Sequence, residues 1–396
     1  MATDTTHRTT EDLMGVDKAL QIPLYAKRDI VLVRGEGPYL YDNDGGRYLD
    51  AMSNYGVAVL GHAHPRFTAA LVEQAQKLTT THQSFGNDAR SEFLETLMAI
   101  APDALQRAFL SNSGTEAIEA ALKFARAFTG REKIVAARRG YHGRTFGALS
   151  ATADKKYRDP FMPLPIPAEH VAFNDPDALE AAITDETAAV ILEPLQGEGG
   201  IHPADAAFLE RAREVSRAKG AVLIADEVQS AIRTGVPFVM PEAGAMPDII
   251  ATAKAVANGF PIGVTLVTEE ISAAMPGGAH GSTFGGNPLA CRVGTETLRI
   301  LEDEAIYENA RIRGEAIKAG IEAIGSSKVR AVRGSGMMLG IELKTRATPT
   351  LKALQERGVL ALMAGNLVIR LLPPLVYGQE QVDELLNAIE DVLGSE

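Results

Sequence analysis

The sequence is poor in cysteine, in positive charge and in long apolar runs, and each shortage excludes a class of protein. Its single cysteine, Cys291, cannot form a disulfide within the chain, which is compatible with a reducing compartment. No uncharged apolar run is long enough to span a bilayer. Acidic residues outnumber basic ones by 51 to 39, giving a net charge of −12. This balance argues against general nucleic-acid binding and against adsorption to anionic membranes.

The N-terminal residues 1–12 are polar and rich in threonine, and they lack the apolar core of a signal peptide. We interpret this segment as a frayed tail. Without a targeting segment, the expected location is the cytoplasm. The chain of 396 residues shows no internal repeat and no low-complexity linker, and it is long enough for more than one domain.

From His64 onward, short apolar runs alternate with segments of helical periodicity. This alternation predicts an α/β fold in which a mainly parallel sheet is flanked by helices. Helices are predicted at 67–77, 91–100 and 206–219. The predicted strands are 108–110, 133–137, 170–173, 188–192, 221–225 and 249–253.

The two ends of the chain have a different pattern. Two short apolar runs and the turn signal Asn43-Asp44-Gly45-Gly46 predict a small antiparallel piece near the N-terminus. After Pro288, a long helical stretch to about residue 324 precedes a strand-rich segment and a last helix at 379–393. Neither end is long enough for a good core alone. We therefore expect residues 1–60 and 289–396 to form one small α+β domain, beside a large domain of residues 61–288.

Two of the predicted strands end on residues that can do chemistry. The run 249–253 leads into Lys254, and the run 221–225 leads into Asp226, Glu227, Val228 and Gln229. In an open parallel sheet, ligands bind beyond the carboxyl ends of the strands. A lysine and an aspartate there suit pyridoxal phosphate (PLP), which needs an amine for a Schiff base and an acid beside its pyridine nitrogen. The structural alternatives are a lysine that reaches the rim and an aspartate that caps a helix.

Ser113-Gly114-Thr115 lies between a predicted strand and a helix. A helix N-terminus offers free backbone N–H groups, and glycine lets a ligand approach closely, so this tripeptide is a candidate phosphate cradle. A plain N-cap formed by Ser113 or Thr115 is the alternative.

Several further residues are candidates for contacts with a substrate. Glu193 and Glu198 follow the strand at 188–192 and could orient a substrate or neutralise an arginine. Arg144 and Arg370 are candidate carboxylate clamps, because the guanidinium fork matches a carboxylate. The alternatives are a solvated loop for the acids and an ordinary ion pair for Arg370. His62 and His64 lack a third ligand nearby, so no metal site is expected.

In combination, these motifs resemble the class III (ω-amino) aminotransferases of fold type I, from about Tyr25 to the C-terminus. Within that family the sequence is similar to N-acetylornithine aminotransferases. It is equally similar to enzymes of lysine synthesis whose substrate hangs from an amino-group carrier protein. The motifs that carry the resemblance are Asn112-Ser113-Gly114-Thr115-Glu116-Ala117, Tyr141-His142-Gly143-Arg144-Thr145, the run Glu193 to Gly200, Asp226-Glu227-Val228-Gln229, Lys254, and the run His280 to Pro288.

The resemblance implies a PLP site with defined roles. Lys254 would form the Schiff base and move the proton between substrate and cofactor. Asp226 would pair with the pyridine nitrogen, and Gln229 would reach the ring hydroxyl. Val228 and Tyr141 would enclose the ring. From the residue alone, the alternative for Tyr141 is an ordinary packing role.

The resemblance also implies a homodimer with shared active sites. Gly114 and Thr115, beside Ser113, would hold the phosphate, and Thr283 of the neighbouring subunit would complete its site. The acidic carrier proteins of the lysine route would need a basic rim on this enzyme. Five cations are candidates for such a rim: Arg138, Arg139, Lys155, Lys156 and Arg158. The alternative is that they form an ordinary solvated face.

For the substrate, the resemblance implies contacts from Arg144 and Ser282, with Tyr25 and Glu193 as further candidates. Arg370 would take the α-carboxylate of glutamate or 2-oxoglutarate, and Glu198 would screen it when another substrate binds. The expected reaction moves the terminal amino group of N-acetylornithine, or of the carrier-linked lysine analogue, to 2-oxoglutarate in arginine or lysine biosynthesis. The alternatives are 4-aminobutyrate, free ornithine or another ω-amine as donor, a non-catalytic PLP-fold binding module, and a metal hydrolase.

The sequence departs from the family pattern at two places. The segment from Ser230 to Gly235 is one residue shorter and poorer in glycine than in most relatives, and Asn258 replaces a glycine after the lysine strand. Because fewer glycines leave fewer positions free to adopt a positive φ, we expect this loop to follow a different path near the pocket floor.

Overall fold

The computed structural model describes residues 8–394 and has seventeen strands and fifteen α-helices in chain order. Two short 3-10 helices lie at Asp159–Phe161 and Lys254–Ala257. The strands are β1 (Leu32–Glu36), β2 (Tyr39–Asp42), β3 (Arg47–Asp50), β4 (Arg107–Ser111), β5 (Lys133–Ala137), β6 (Ala168–Val171), β7 (Thr187–Leu192), β8 (Leu195–Gln196), β9 (His202–Pro203), β10 (Val222–Asp226), β11 (Ile249–Thr252), β12 (Gly263–Val267), β13 (Val329–Ser335), β14 (Met338–Leu343), β15 (Val359–Leu360), β16 (Leu362–Ala364) and β17 (Val368–Leu371). The helices are α1 (Thr10–Leu20), α2 (Ser53–Gly56), α3 (Pro65–Lys77), α4 (Asp88–Ile100), α5 (Gly114–Thr129), α6 (Phe146–Ala151), α7 (Lys155–Arg158), α8 (Pro176–Ala182), α9 (Ala206–Lys219), α10 (Val239–Glu242), α11 (Glu269–Ala273), α12 (Pro288–Asp303), α13 (Ile306–Ala323), α14 (Thr348–Glu356) and α15 (Gln379–Leu393).

A seven-stranded sheet in the order β4-β12-β11-β10-β7-β5-β6 forms the centre of the molecule. The pairs among β11, β10, β7, β5 and β6 are parallel, whereas β12 is antiparallel to both of its neighbours. Apolar side chains on both faces of the sheet are buried, among them Val190 on one face and Ile191 on the other. The predicted α/β class with a mainly parallel sheet flanked by helices is thereby confirmed.

The reversed strand β12 was not predicted. It follows β11 after a connection that begins at Ala253 and ends at Ile262, which is too short for the helical crossover that a parallel neighbour requires. The chain therefore turns back beside β11 and places β12 between β11 and the edge strand β4.

Two smaller sheets involve the chain ends. Strands β13, β14, β17 and β16 form one antiparallel sheet. Strands β1, β2 and β3 form a second, to which β15 adds by parallel pairing with β3. This pairing joins the N-terminal segment to the C-terminal part of the chain. We propose on this basis that the described parts of the predicted segments 1–60 and 289–396 share one small domain beside the large domain of residues 61–288, except that α12 packs against α3 and α4 of the large domain.

The N-terminal expectation was partly wrong. Residues 1–7 lie outside the described part of the chain, but residues 10–12 are the first turn of α1 rather than a frayed tail. The Thr9 hydroxyl accepts a hydrogen bond from the Asp12 N–H, and the Asp12 carboxylate accepts one from the Thr9 N–H. This reciprocal pair is a capping box, which fixes the start of the helix.

The long helical stretch after Pro288 is two helices rather than one. They are separated at Ala305, which has a left-handed backbone with φ 50°. The first of them, α12, packs against α3 and α4, and its start at Pro288 is capped by the Asn287 side chain. Helices α9 and α15 have the predicted bounds.

Candidate active site

A cavity of about 420 Å³ opens where β4, β10 and β11 end and helix α5 begins. Its position matches the rule that ligands bind at the carboxyl ends of parallel strands, and its size suits a small organic ligand. Most of the predicted site residues lie in its wall, namely Ser113, Gly114, Thr115, Tyr141, Arg144, Glu193, Glu198, Asp226, Val228, Gln229 and Lys254.

Lys254 stands just after β11 with a left-handed backbone, φ 41°. A lysine in this region is strained, and such strain concentrates at functional sites. Its amine makes no hydrogen bond or ion pair with any residue from 8 to 394. Burial lowers its pKa; the carboxylate of Glu198 opposes this shift, and the positive charge of Arg370 adds to it. A larger fraction of the amine is therefore uncharged, and hence nucleophilic, than for a lysine in water.

Asp226, at the end of β10, is buried against His142. Its Oδ2 lies 2.7 Å from His142 Nδ1, and its Oδ1 accepts a hydrogen bond from the Val228 N–H. Burial alone would lower the pKa of His142, but the hydrogen bond and charge of Asp226, with the charge of Glu193, outweigh it and raise that pKa. The contact with His142 therefore orients the Asp226 carboxylate.

No role was predicted for His142, although it lies between Tyr141 and Gly143 in a motif that carries the family resemblance. The partner could not be inferred, because Asp226 is 84 residues away in the sequence.

The start of helix α5 forms one wall of the cavity. The Ser113 hydroxyl accepts a hydrogen bond from the Glu116 N–H and donates one to the Glu116 carboxylate, so it caps the helix. The N–H groups of Gly114 and Thr115 have no acceptor among residues 8–394. A side chain at Gly114 would collide with Val228, because an added Cβ would lie 2.6 Å from Val228 Cγ1. Two free donors thus face a space that only glycine leaves open.

Glu193 lies in the cavity wall, but its carboxylate binds backbone N–H groups of the protein. Its carboxylate accepts hydrogen bonds from the N–H groups of Tyr141 and Gly197, at 2.9 and 3.0 Å. Burial raises its pKa to about 7, against the lowering effect of His142. Glu193 therefore ties together the two loops that carry Tyr141 and Glu198.

Arg370, on β17, is fully buried behind the cavity wall. Its Nη1 donates to Glu198 at 2.5 Å and contacts the Gln229 side-chain oxygen at 3.3 Å. Its Nε and Nη2 are buried and have no partner among the described residues. If Glu198 moved away, the Arg370 guanidinium would have free donors facing the cavity. Binding of a carboxylate requires such donors.

Arg144 stands at the cavity mouth beside two tyrosines. Its Nε donates to the Tyr141 hydroxyl at 3.1 Å, and its Cζ lies 4.4 Å from the centre of the Tyr157 ring. Its terminal amino groups make no hydrogen bond within residues 8–394. The guanidinium is thus held at Nε by the Tyr141 hydroxyl and on one face by the Tyr157 ring. Its terminal amino groups remain available to bind a ligand.

Besides Arg370, three predicted site residues lie outside the cavity of their own chain. Tyr25 is 70% exposed, and Thr283 is also exposed. Ser282 does not line the cavity but contacts a residue that does. Its hydroxyl accepts a hydrogen bond from the side chain of Asn112 in the cavity wall. Asn54 and Phe260, which line the cavity, were not predicted.

The two histidines considered as metal ligands each contact a carboxylate. His62 contacts the buried Asp50 at 2.7 Å, and His64 lies 3.5 Å from Glu304. Within residues 8–394 there is no cluster of three or more histidine, cysteine or acidic residues that could hold a metal ion.

In the same part of the chain, no helix has the length and apolar character needed to cross a membrane.

The glycine-poor segment keeps a left-handed residue despite its composition. Ile232 adopts φ 68° and Gly235 φ 89°. The segment buries Arg233, which donates to the carbonyl oxygens of Met337 and Pro373 and to the Ser53 hydroxyl. Asn258 also takes a left-handed backbone, φ 43°, which asparagine tolerates better than most residues.

The comparisons with known proteins agree with one another. The family model for class-III aminotransferases matches residues 24–393. A LysW-aminoadipate semialdehyde transaminase of Deinococcus radiodurans is 45% identical over 96% of this chain and 90% of its own length. An acetylornithine aminotransferase of Methanothermobacter thermautotrophicus is 39% identical over 97% of this chain and 98% of its own. An ornithine aminotransferase of Toxoplasma gondii, solved with PLP partly occupying its active site, superposes with TM-score 0.93 at 30% identity, covering 98% and 95% of the two chains.

Proposed function

Since this chain belongs to the class III aminotransferases, we propose that its amino donor is N-acetylornithine or a lysine analogue linked to a carrier protein, and that its acceptor is 2-oxoglutarate. The products would be the corresponding semialdehyde and glutamate. The relatives divide between names that specify a LysW-linked substrate and names that specify acetylornithine, so both donors are carried forward.

The cofactor is pyridoxal phosphate, and the cavity fits it. Bound PLP supplies an electron sink that stabilises negative charge on the substrate carbon. The free N–H groups of Gly114 and Thr115 would hold its phosphate. Asp226, oriented by His142, would hold a proton on the pyridine nitrogen. Val228 and Tyr141 stand in the wall where they would enclose the ring.

Lys254 would carry the cofactor and then move the proton. Its amine has no hydrogen-bond partner among residues 8–394, and burial lowers its pKa, so a larger fraction of it is uncharged and able to accept a proton from the substrate carbon. Glu198 and Asp226 limit this shift by favouring the charged form.

The observation that carries the choice of substrates is the pair of arginines at the cavity. Arg144 has its terminal amino groups free and would bind the carboxylate of the amino donor. Arg370 is neutralised by Glu198, so the donor meets no net charge there. When glutamate or 2-oxoglutarate binds, Glu198 would move aside and Arg370 would take the α-carboxylate. One cavity can thus serve substrates of different charge.

We also propose that the active unit is a homodimer. Thr283 is exposed and lies outside the cavity of its own chain, and the neighbouring Phe284 side chain is 64% exposed. Both would be accounted for if this loop packed against a second copy and Thr283 reached that copy's phosphate site.

The carrier-linked donor has support from surface charge. Four of the five cations proposed as a basic rim make no ion pair with a carboxylate in the described part of the chain, and only Lys156 does, with Asp154 at 3.4 Å. Arg139 instead contacts the His202 ring. The pKa of His202 is lowered to about 4 by burial and by the nearby Arg333 and Arg139, so this ring is neutral at pH 7. An acidic carrier domain would find net positive charge here.

An absorbance spectrum tests the proposal. We expect purified protein reconstituted with PLP to show a visible band that is lost on adding N-acetylornithine and returns with 2-oxoglutarate. A band that responds to glutamate but ignores N-acetylornithine would leave the carrier-linked lysine analogue or another ω-amine as donor. A band that responds to no amino donor would contradict the proposed turnover and favour a binding module. The matched control is Lys254→Ala, which should show no such band.

A further inference from the structure

Helix α7 presents Tyr157 to the cavity mouth, where it touches two residues of the proposed site. Its ring centre lies 5.6 Å from that of Tyr141, with the planes at 77°, an edge-to-face contact. The Arg144 guanidinium lies over the Tyr157 ring at 4.4 Å. Lys156 Nζ also lies over this ring, at 4.5 Å. Tyr157 itself does not line the cavity.

Local hydrogen bonds fix the position of this helix against the loop of Tyr141 and Arg144. The Asp154 side chain accepts a hydrogen bond from the Lys156 N–H and caps α7. The Ala153 N–H donates to the Gly140 carbonyl at 2.9 Å. The Thr152 hydroxyl accepts from the His142 N–H and donates to the Gly143 carbonyl. Tyr157 is therefore held at a set distance from the loop that it touches.

We propose that Tyr157 is a positioning residue that holds Arg144 in the orientation needed to bind the donor's carboxylate. The inference rests on the proposed function, in which Arg144 binds that carboxylate. A long exposed arginine would otherwise sample many rotamers, and ordering it on binding would weaken affinity. The Tyr157 ring restrains its face, and the Tyr141 hydroxyl holds its Nε. The two terminal amino groups then point together at one carboxylate, as bidentate binding requires.

The ring rather than the hydroxyl of Tyr157 does this. Arg144 makes no hydrogen bond to the Tyr157 hydroxyl within residues 8–394, and that hydroxyl interacts with the neighbouring Lys156 instead. The ring attracts the Arg144 cation through its electron-rich face. Tyr157→Phe should therefore behave like wild type, and Tyr157→Leu should not. This pair separates the ring from mere bulk at the same site.

The test compares two amino donors on the PLP-loaded enzyme. In a two-step exchange, kcat/KM for a donor reports the donor half-reaction alone. We expect Tyr157→Leu to lower kcat/KM for N-acetylornithine about fivefold through KM, as loss of one cation–π contact predicts. We expect kcat/KM for a primary amine of similar length without a carboxylate to stay unchanged, because Arg144 has no group to bind in it. An equal loss for the two donors, or a loss that Tyr157→Phe shares, would contradict the proposal.

A crystal structure of each variant gives a readout that does not depend on turnover. Arg144 should remain at the Tyr141 hydroxyl in wild type and Tyr157→Phe, and should leave it in Tyr157→Leu. An unmoved Arg144 in Tyr157→Leu overturns the positioning role even where N-acetylornithine is a substrate. A wild-type enzyme that ignores N-acetylornithine and every other carboxylate-bearing ω-amine overturns the proposed function instead, whatever Arg144 does.

Discussion

Three buried carboxylates near the cavity show how one residue type is adapted by its partners. Asp226 lies against His142, Glu193 accepts two backbone N–H groups, and Glu227 accepts backbone N–H groups at the start of α10 together with the Ser230 hydroxyl. Only the first has a cationic partner. The others receive neutral donors, which offset burial incompletely and leave each with a pKa raised to about 7.

The pH dependence of stability should reflect Glu227. Its folded pKa of about 7 exceeds its ordinary value of 4.5, so between these values the folded state holds a proton that the unfolded state has lost. More protons on the folded state mean that the free energy of unfolding falls as pH rises from about 4.5 to 7. Glutamine cannot ionise, so we expect the free energy of unfolding of Glu227→Gln to fall less than that of wild type over this range. The difference should be on the order of 3 kcal/mol. Chemical denaturation from pH 4.5 to 8 measures it.

Glu270→Gln is the control for this change, since Glu270 is exposed and has no hydrogen bond or ion pair from its side chain in the described region. Its profile should match that of wild type. A Glu227→Gln variant with the wild-type slope would show that Glu227 stays ionised in the folded protein throughout this range.

At the scale of elements, the start of α5 carries the proposed phosphate site because three local features coincide. Ser113 ends the preceding loop and caps the helix, which leaves the first N–H groups free. Gly114 removes the side chain that would fill the space in front of them. Val228, from the segment after β10, packs against that glycine and sets the width of the cavity.

Gly114→Ala should weaken cofactor binding without unfolding the protein. The added methyl would lie 2.6 Å from Val228 Cγ1, so Val228, which lines the cavity, must shift. We expect the Kd for PLP to rise about tenfold or more, as overpacking of this size commonly costs. Titration of the apoprotein with PLP, followed by absorbance, gives the value. Gly114→Ala should cost less affinity in a Val228→Ala background than in wild type, and an equal cost in both would show that the loss has another cause.

At the scale of the whole molecule, the chain ends meet and the cavity lies among segments distant in sequence. Strand β15 pairs with β3, and Arg370 on β17 reaches Glu198 and Gln229 behind the cavity. In the proposed function, substrate choice is therefore coupled to how the C-terminal sheet packs against the central one.

The proposed dimer predicts complementation between two inactive variants. Lys254→Ala removes the reactive amine, and Thr283→Arg would obstruct the phosphate site of the partner. A mixed dimer has one site in which both changes meet and one site in which both residues are native. Mixing after reversible dissociation should therefore restore activity to about half of these dimers' sites. Activity no higher than that of the separate variants would place Thr283 outside the partner's site.

The sequence by itself determined the fold class and the nature of the cofactor, because both depend on local signals. Apolar runs of strand length alternating with helical periodicity specify a layered α/β fold. Lys254 and Asp226 directly follow such runs, and parallel strands bring their carboxyl ends to one edge. Helices α9 and α15 could be placed to the residue because their periodicity ends at glycines or polar turns.

The tertiary structure alone decided which side chains meet. Asp226 lies against His142, Arg144 against Tyr157, and Glu193 between two loops, and no periodicity encodes these partners. Ile232 shows the limit most plainly, since its side chain disfavours a positive φ and its backbone adopts one nevertheless. The surrounding packing, with Arg233 held by three buried acceptors, outweighs the local preference. Local sequence thus determines which chemistry is present, and long-range packing determines which of its groups act together.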